Sequence, residues 1–187
     1  MRKLKLQVQM TLDGFVAGPN GELDWMWASG APDEAARDKV IELADSCDII
    51  ILGSGMTQEF CNYWESVVDT KPDSPEIPLA QRMVNLRKIA FSRTQADIKG
   101  RNLEVESGDL ATAIQKLKNE DGKDIMVYGG ARFATSLISL NLVDEYYIFL
   151  NPVAIGSGLS IFKEKKILNL DDSITYKNKI LLKYLPA

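Results

Sequence analysis

The segment that decides the fold is Asp124–Ala134, which reads DIMVYGGARFA. Its first residues form a short apolar run that predicts a buried strand, and the spacing of Phe133, Leu137 and Leu140 predicts a helix after it. The two glycines between them mark a tight turn, where the missing Cβ atoms allow a positive φ and a close approach of a ligand to the backbone. Because the first amide groups of the helix would point at the same place, the turn favours an anion such as a phosphate.

The same residues also suit a plain strand-to-helix turn in which the small side chains serve only packing. Neither of the glycine patterns G-x-G-x-x-G and G-x-x-x-x-G-K is present. The rest of the chain has to decide between the two interpretations.

Two other turns have a similar character. Asp48–Leu52 is a β-branched apolar run that predicts a strand buried on both faces, and it ends in the glycine-containing turn Gly53–Thr57. Lys88–Phe91 predicts a short strand that ends in Ser92–Thr94. If the three strands are parallel, all three turns lie at the edge where such sheets bind ligands, which strengthens the phosphate interpretation.

Strands alternate with helices over the first two thirds of the sequence, whereas the closing strands follow one another without helices. This order predicts an α/β fold, a three-layer αβα sandwich with a central mixed, mostly parallel sheet. The 187 residues with 45% hydrophobic content predict one domain spanning residues 1–187.

Composition excludes several classes of function. A net charge of -4 indicates neither a nucleic acid nor an anionic membrane as partner, and we expect a cytoplasmic protein. The sequence contains no histidine, which excludes Ser-His-Asp and Cys-His catalysis and any histidine-based zinc site, and we expect no metal. The two cysteines, Cys47 and Cys61, are not expected to form a disulfide in such a chain. An enzyme of this composition would depend on an organic cofactor for its hardest step.

Several motifs together resemble the dihydrofolate reductase-like superfamily, and in particular the branch that contains the C-terminal reductase domain of the bifunctional riboflavin-biosynthesis protein (RibD). The resemblance covers nearly the whole chain, and the motifs occur in the same order as in that family. They are Thr11–Ala17, the turn after Leu52, Phe91–Thr94, Val127–Ala131, and Leu142–Tyr146 with Pro152 and Gly156–Gly158.

The resemblance implies a homodimeric reductase that binds NADPH. Val16 and Ala17 would flank the nicotinamide, and Ser92 and Arg93 would hold the adenosine 2′-phosphate, a role for which the planar guanidinium is well suited. The turn after the second strand would follow the phosphates, and the turn after the central strand would cover the pyrophosphate and the nicotinamide side. These residues are Gly53, Ser54, Met56 and Thr57 in the first turn, and Gly129, Gly130, Ala131, Arg132 and Phe133 in the second.

Two positions depart from the family pattern. Ser54 stands where the family has an arginine that contacts the 2′-phosphate, and Met56 stands where threonine is frequent. These changes would weaken NADPH binding or shift it onto Arg93. They also leave room for NADH or for a loss of activity.

The substrate side is less defined in the sequence. Trp25, Phe60 and Trp64 would line a pocket for a flat ring, although core packing explains each of them equally well. Asp33 and Glu34 lie near the position of the acidic residue that protonates the pterin in folate reductases, but both also suit an ordinary acidic first turn of a helix.

The first interpretation is an NADPH-dependent reductase that passes a hydride to a small pyrimidine- or pteridine-like substrate, similar to 5-amino-6-(5-phosphoribosylamino)uracil reductase. A second keeps the chemistry but takes dihydrofolate or another pterin. A third is a non-catalytic, nucleotide-binding scaffold protein of the same fold. Tyr146–Leu150 and the terminal hairpin are the predicted surface of a homodimer.

Overall fold

A computed structural model describes residues 1–28 and 33–187 of the chain. They form an α/β structure built on one eight-stranded sheet, with helices on both faces. In chain order the strands are β1 (Leu4–Thr11), β2 (Cys47–Gly53), β3 (Arg87–Phe91), β4 (Leu103–Glu106), β5 (Asp124–Gly129), β6 (Glu145–Asn151), β7 (Leu168–Thr175) and β8 (Ile180–Pro186). The helices are α1 (Glu34–Asp45), α2 (Ser54–Thr70), α3 (Ile77–Asn85), α4 (Leu110–Asn119) and α5 (Ala131–Ser139), with a 3-10 turn at Asp24–Trp27.

The strand order is β4-β3-β2-β5-β1-β6-β8-β7. The pairings from β4 through to β6 are all parallel, and β8 joins β6 and β7 by antiparallel pairing. The prediction of a mixed, mostly parallel sheet is therefore confirmed, including the antiparallel closing strands. Parallel neighbours need crossover helices, which accounts for the helices between the early strands.

The core has two halves, one on each face of the sheet. Residues at alternate positions of β1 (Leu4, Leu6, Val8 and Met10) pack with α4 and α5 on one face. Apolar residues of β2, β5 and β6 pack with α1, α2 and α3 on the other face. Because strand side chains alternate, Lys5, Gln7 and Gln9 of β1 point to the α1 side of the sheet.

The boundaries differ from the sequence prediction in two elements. The three prolines of residues 69–78 predict a loop up to Leu79, but the first turn of α3 already lies in this segment, because Pro78 occupies a first-turn position where its missing N–H costs nothing. The sequence predicts that the terminal hairpin begins at Ser173, whereas β7 begins five residues earlier, at Leu168, and pairs along β8 as far as Pro186.

The predicted dimer surface also needs a correction. Strand β6 lies inside the sheet between β1 and β8, and Tyr146 and Phe149 are fully buried. A run of aromatic and β-branched residues is typical of both a buried strand and an interface, and here it forms a buried strand. Of the predicted surface, only the terminal hairpin of β7 and β8 is exposed.

Cys47 and Cys61 are both free and buried, in agreement with the expectation that they form no disulfide. Across residues 1–28 and 33–187, no helix combines the length and the apolar character needed to cross a membrane.

Candidate functional site

The three turns singled out in the sequence lie side by side in the structure. Strand β2 lies between β3 and β5, and the three strands run in parallel, so their carboxyl ends share one edge of the sheet. The turns Gly53–Thr57, Ser92–Thr94 and Gly129–Arg132 therefore line one edge, as predicted. This edge is where ligands bind in open parallel sheets.

Three glycines bring the backbones of two turns into contact. A Cβ atom on Gly53 would lie 2.7 Å from Cβ of Phe133, and one on Gly129 would lie 2.9 Å from Sδ of Met56. Gly130 has φ +91°, and a Cβ there would lie 3.5 Å from Cα of Gly53. Side chains at these positions would separate the turns or strain the backbone, so the glycines are required for this close approach.

Two helices begin at the junction of these turns. Gly53 is the N-cap of α2 and Gly130 is the N-cap of α5, and neither has a side chain that could accept from the first-turn amides. The first-turn amide groups of α2 and α5 therefore lie close together, and neither set is capped by the side chain of its N-cap residue. Two convergent N-termini form a cradle suited to an anion.

The side chains around the cradle have different surroundings. Thr57 is fully buried, and its Oγ1 donates to the carbonyl oxygen of Gly53 at 3.0 Å. Its hydroxyl is therefore used within the first turn of α2, and Thr57 belongs to the cradle only through its position in that turn. Ser54 and Met56 are half-buried, and Arg132 is exposed at the start of α5. Phe133 stacks on Phe91 with ring centroids 5.2 Å apart, which fixes the start of α5 against β3.

Ser92 and Arg93 follow β3 beside the cradle. The Oγ of Ser92 accepts from the backbone N of Thr94 at 3.3 Å and of Gln95 at 2.8 Å, which holds this turn in shape. Arg93 is exposed, and its positive charge lies near enough to Asp109 to lower the pKa of that carboxyl, after the hydrogen bonds from Thr112. The roles expected for this pair stay predictions.

Val16 and Ala17 lie in the loop after β1, which is fastened to the loop after β6. The N of Val16 donates to the O of Leu159 at 2.9 Å, and the N of Leu159 donates to the O of Ala17 at 2.8 Å. A Cβ on Gly158 would collide with the carbonyl oxygen of Ala17. This bridge fixes the backbone at the two positions that the resemblance assigns to the nicotinamide.

Asp13 ties the same two loops together from the other end. Its carboxylate accepts from Thr11 Oγ1 at 2.6 Å, from Gly156 N at 2.7 Å and from Ile155 N at 3.0 Å. The hydrogen bond from Thr11 lowers the pKa of Asp13, and the two amides lower it further. The Asp13–Gly14 motif that carried part of the resemblance is therefore a structural connection between loops.

The aromatic residues predicted to line the substrate pocket lie behind the site surface. Phe60 and Trp64 are 5% and 8% exposed, and they pack in the core beneath α2, where Phe60 also contacts Tyr128 edge-on with ring centroids 5.3 Å apart. Burial of this kind supports core packing for both. Trp25 is also buried, but its Nε1 has no hydrogen-bond partner within residues 1–28 and 33–187.

Asp33 and Glu34, the acidic residues at the start of α1, have different surroundings. Asp33 is the N-cap of α1, and its Oδ1 accepts from Ala36 N at 3.2 Å, while its Oδ2 is buried and has no partner among the described residues. Glu34 is exposed in the first turn. The cap explains one oxygen of Asp33, and the proposed catalytic roles of Asp33 and Glu34 stay predictions.

The sequence did not reveal two polar residues on the same face of the sheet. Gln9 lies near the carboxyl end of β1, and Asn151 lies at the carboxyl end of β6, where it is 1% exposed. Asn151 Nδ2 donates to Gln9 Oε1 at 3.0 Å, and Asn151 Oδ1 is buried with no partner in the part of the chain that the structure describes. Alternation along β1 could have placed Gln9 on a buried face, but no local signal relates it to Asn151.

Comparison with known proteins identifies the family. A family model described as the RibD C-terminal domain matches residues 2–182. The uncharacterized protein YyaP of Bacillus subtilis (strain 168) is 32% identical over 166 residues, which cover 88% of this chain and 82% of that protein.

Two solved structures have the same fold. RibD of Acinetobacter baumannii superposes with a TM-score of 0.73 at 19% identity, over 100% of this chain and 58% of that one. The diaminohydroxyphosphoribosylaminopyrimidine deaminase/5-amino-6-(5-phosphoribosylamino)uracil reductase of Thermotoga maritima superposes with a TM-score of 0.67 at 17% identity, over 100% of this chain and 57% of that one. With the family match over almost the whole length, the chain belongs to the RibD C-terminal domain family, whose fold is that of the dihydrofolate reductase-like proteins.

Proposed function

We propose that this protein is an NADPH-dependent reductase that transfers a hydride to a carbonyl or imine carbon of a small pyrimidine- or pteridine-like heterocycle. The observation that carries the proposal is the cradle formed by Gly53, Gly129 and Gly130, where two uncapped helix N-termini converge. Its backbone suits a pyrophosphate, and a RibD relative is named for a uracil reductase activity.

The residues present fit a dinucleotide along this edge. The starts of α2 and α5 would hold the pyrophosphate through backbone amides, and Arg93 beside Ser92 would hold the 2′-phosphate. Val16 and Ala17, on a loop fixed by the bridge to Leu159, would set the position of the nicotinamide. The cofactor supplies the hydride, and the protein supplies alignment and a site shielded from water.

Reduction of a carbonyl or imine also needs a proton. Among the described residues, Asp33 has a buried carboxylate oxygen without a hydrogen-bond partner, whereas Glu34 is exposed. We assign Asp33 the role of delivering the proton from Oδ2, directly or through water. Its other oxygen stays on the amide of Ala36 and keeps the carboxyl group in place.

One observation favours the alternative of a non-catalytic nucleotide-binding protein. Met56 lies against Gly129, so an apolar side chain covers part of the backbone that a pyrophosphate would approach. Together with Ser54 in place of an arginine, this predicts weaker binding of NADPH than in relatives that carry both polar residues.

The test is a titration of the protein with NADPH and NADH, followed by tryptophan fluorescence. We expect saturation with NADPH at lower concentration than with NADH. The variants Gly130→Asp and Gly130→Asn impose the same backbone strain and nearly the same volume but differ in charge. Repulsion of the pyrophosphate should make NADPH binding by Gly130→Asp at least about tenfold weaker than binding by Gly130→Asn.

Equal NADPH affinities in the two variants would show that the pyrophosphate does not lie at this turn. Wild-type protein that binds neither nucleotide would contradict the reductase proposal as a whole. A thermal unfolding curve for each variant controls for loss of fold.

A further inference from the structure

Several buried polar atoms of the described residues lack a hydrogen-bond partner. They include Asn151 Oδ1, Asp33 Oδ2, Arg37 Nε, Trp25 Nε1 and, on the face of the sheet opposite Asn151, the Tyr146 hydroxyl. Buried polar groups are normally paired, so a set of unpaired ones indicates a place where a ligand completes the hydrogen bonding. Asn151 is 1% exposed and Trp25 is 5% exposed, so water does not satisfy them freely.

Asp33 lies on the same face of the sheet as Asn151 and toward the same edge. Lys5 Nζ donates to Ser46 Oγ at 3.0 Å, which puts the end of α1 at the amino edge of the sheet and its start, with Asp33, at the carboxyl edge. Burial raises the pKa of Tyr176, and the nearby carboxylates, Asp33 among them, raise it further. Tyr176 in turn stacks on Phe149, with centroids 6.4 Å apart.

The strand register brings Gln9 into this neighbourhood. Gln9 is the partner of Phe149 in the pairing of β1 with β6, and Thr11 is the partner of Asn151. In parallel strands, paired residues point to the same face, so Gln9, Phe149 and Asn151 all face α1. The loop that carries Val16 and Ala17 begins directly after Thr11.

The hydrogen bonds of Asn151 determine the orientation of the side-chain amide of Gln9. Besides Gln9, the Nδ2 of Asn151 donates to the carbonyl oxygens of Phe149 at 2.9 Å and Met10 at 3.3 Å. Backbone carbonyls only accept, so the amide nitrogen of Asn151 has to face them. Gln9 must then offer its oxygen to Asn151, which turns its Nε2 away from Asn151.

The Nε2 of Gln9 makes no hydrogen bond to any residue in the described part of the chain, and Gln9 is half-buried. This donor is held in one orientation on the face of the sheet that carries the Phe149–Tyr176 stack, so it is available to a ligand acceptor at this edge of the sheet.

We propose that Gln9, oriented by Asn151, determines substrate specificity by donating a hydrogen bond from Nε2 to a ring carbonyl oxygen of the substrate. The inference rests on the proposed reductase function and narrows its substrate class to oxo-substituted heterocycles, as opposed to their amino-substituted counterparts. Gln9 takes no part in the chemical step.

The test uses two probes that differ in the property at issue. 5,6-Diaminouracil carries ring carbonyl acceptors, and 2,4,5,6-tetraaminopyrimidine carries amino donors at the same positions. Binding of each is measured by calorimetry, with and without saturating NADP⁺, to the wild type and to Gln9→Met and Gln9→Glu. Gln115→Glu, an exposed substitution on α4, is the control for added charge.

We expect the wild type to prefer the uracil. Gln9→Met should lose about tenfold in uracil affinity, the cost of one hydrogen bond in a partly buried site. Gln9→Glu keeps the shape and the bond from Asn151 but presents an acceptor, so it should reverse the preference between the probes. Gln115→Glu should behave as the wild type.

Three results would overturn the inference: a wild type that binds neither probe, a wild type that prefers the tetraamino compound, or a Gln9→Met variant that keeps the uracil affinity. Each of them leaves the reductase proposal standing if NADPH still binds. The opposite combination is also informative. If neither NADPH nor NADH binds, but the wild type still prefers the uracil and Gln9→Glu reverses that preference, the reductase proposal is contradicted and the role of Gln9 is supported.

Discussion

Met56 lies over part of the backbone to which we assign phosphate binding. The sulfur of Met56 lies 2.9 Å from the place where a Cβ on Gly129 would be, which means that the side chain rests on the glycine backbone. The three rotatable bonds of methionine allow it to move aside, but moving it exposes apolar surface and costs free energy on binding. The cradle is present, and a flexible side chain partly covers it.

The substitution Met56→Thr should therefore strengthen NADPH binding, by about three- to tenfold, because it uncovers Gly129 and adds a hydroxyl donor at the start of α2. The matched control is Met56→Leu, which keeps an apolar side chain of similar volume and should leave the affinity unchanged. The measurement is the fluorescence titration with NADPH. Weaker binding in Met56→Thr would show that Met56 supports the ligand and does not obstruct it.

At the residue scale, the sequence predicts some site residues and misses others for a physical reason. The need for glycine at Gly129 and Gly130 is local, because it follows from a turn between a strand and a helix. The pairing of Gln9 with Asn151 joins residues 142 positions apart and depends on the register of β1 with β6. The sequence around either residue does not predict that register.

At the scale of elements, the pairing of β1 with β6 is held at its amino end by a buried carboxylate. Glu145 is 4% exposed; Lys3 Nζ donates to its Oε1 at 2.6 Å, and the Tyr147 hydroxyl donates to its Oε2 at 2.7 Å. Burial alone would raise the pKa of Glu145, but the hydrogen bonds from Lys3 and Tyr147 and the charge of Lys183 bring it below the ordinary 4.5. The ionised form is therefore the one that the fold stabilises.

Because the pKa of Glu145 is lower in the folded chain than in the unfolded chain, its contribution to stability is complete above about pH 4.5 and declines as the pH falls below that value. Glu145→Gln should lower the free energy of unfolding by about 2 kcal/mol at pH 7. At pH 3 the difference from the wild type should shrink.

The measurement is urea unfolding at both pH values. Glu42→Gln is the control, because Glu42 forms a surface pair with Lys39 at 2.7 Å, and such pairs contribute little. A Glu145→Gln variant whose deficit is the same at pH 7 and pH 3 would contradict this account.

Element types were predictable where periodicity is strong, as in β2, β5 and α4. The start of β7 was not, because Leu168–Thr175 contains two aspartates and a register shift between Leu170 and Asp172. The composition of β7 alone indicates a loop, and the strand reaches its full length because it pairs with β8. The prediction that Tyr146–Leu150 lies at a dimer surface was wrong, because the run of apolar residues could not separate burial in the sheet from burial in an interface.

For the whole molecule, the two ends of the sheet differ in how they are protected. The edge strand β4 has only four residues, two of them glutamates, which is a common protection against association. At the other end, register places Leu170 beside Tyr184, and Ile180 and Leu182 lie on the same face of the hairpin. Leu170 is 58% exposed and Ile180 is 38% exposed.

This apolar face of the terminal hairpin is the surface on which we propose that two copies of the chain associate. The packing of α5 is against β2 and β5, in the parallel part of the sheet, and leaves the hairpin face beyond it. A contiguous apolar face on a strand pair is typical of a self-complementary interface. We therefore expect a dimer in solution at micromolar concentration.

Size-exclusion chromatography with light scattering measures the association. Leu170→Lys puts a charge into the centre of the proposed interface and should raise the dimer dissociation constant by at least about tenfold, since a buried unpaired charge is costly. Leu140→Lys is the matched control, because Leu140 is 49% exposed and lies next to the end of α5, so the same change there should leave the dimer intact. A monomeric wild type, or a dimer that both substitutions leave unchanged, would show that this face does not hold a second copy.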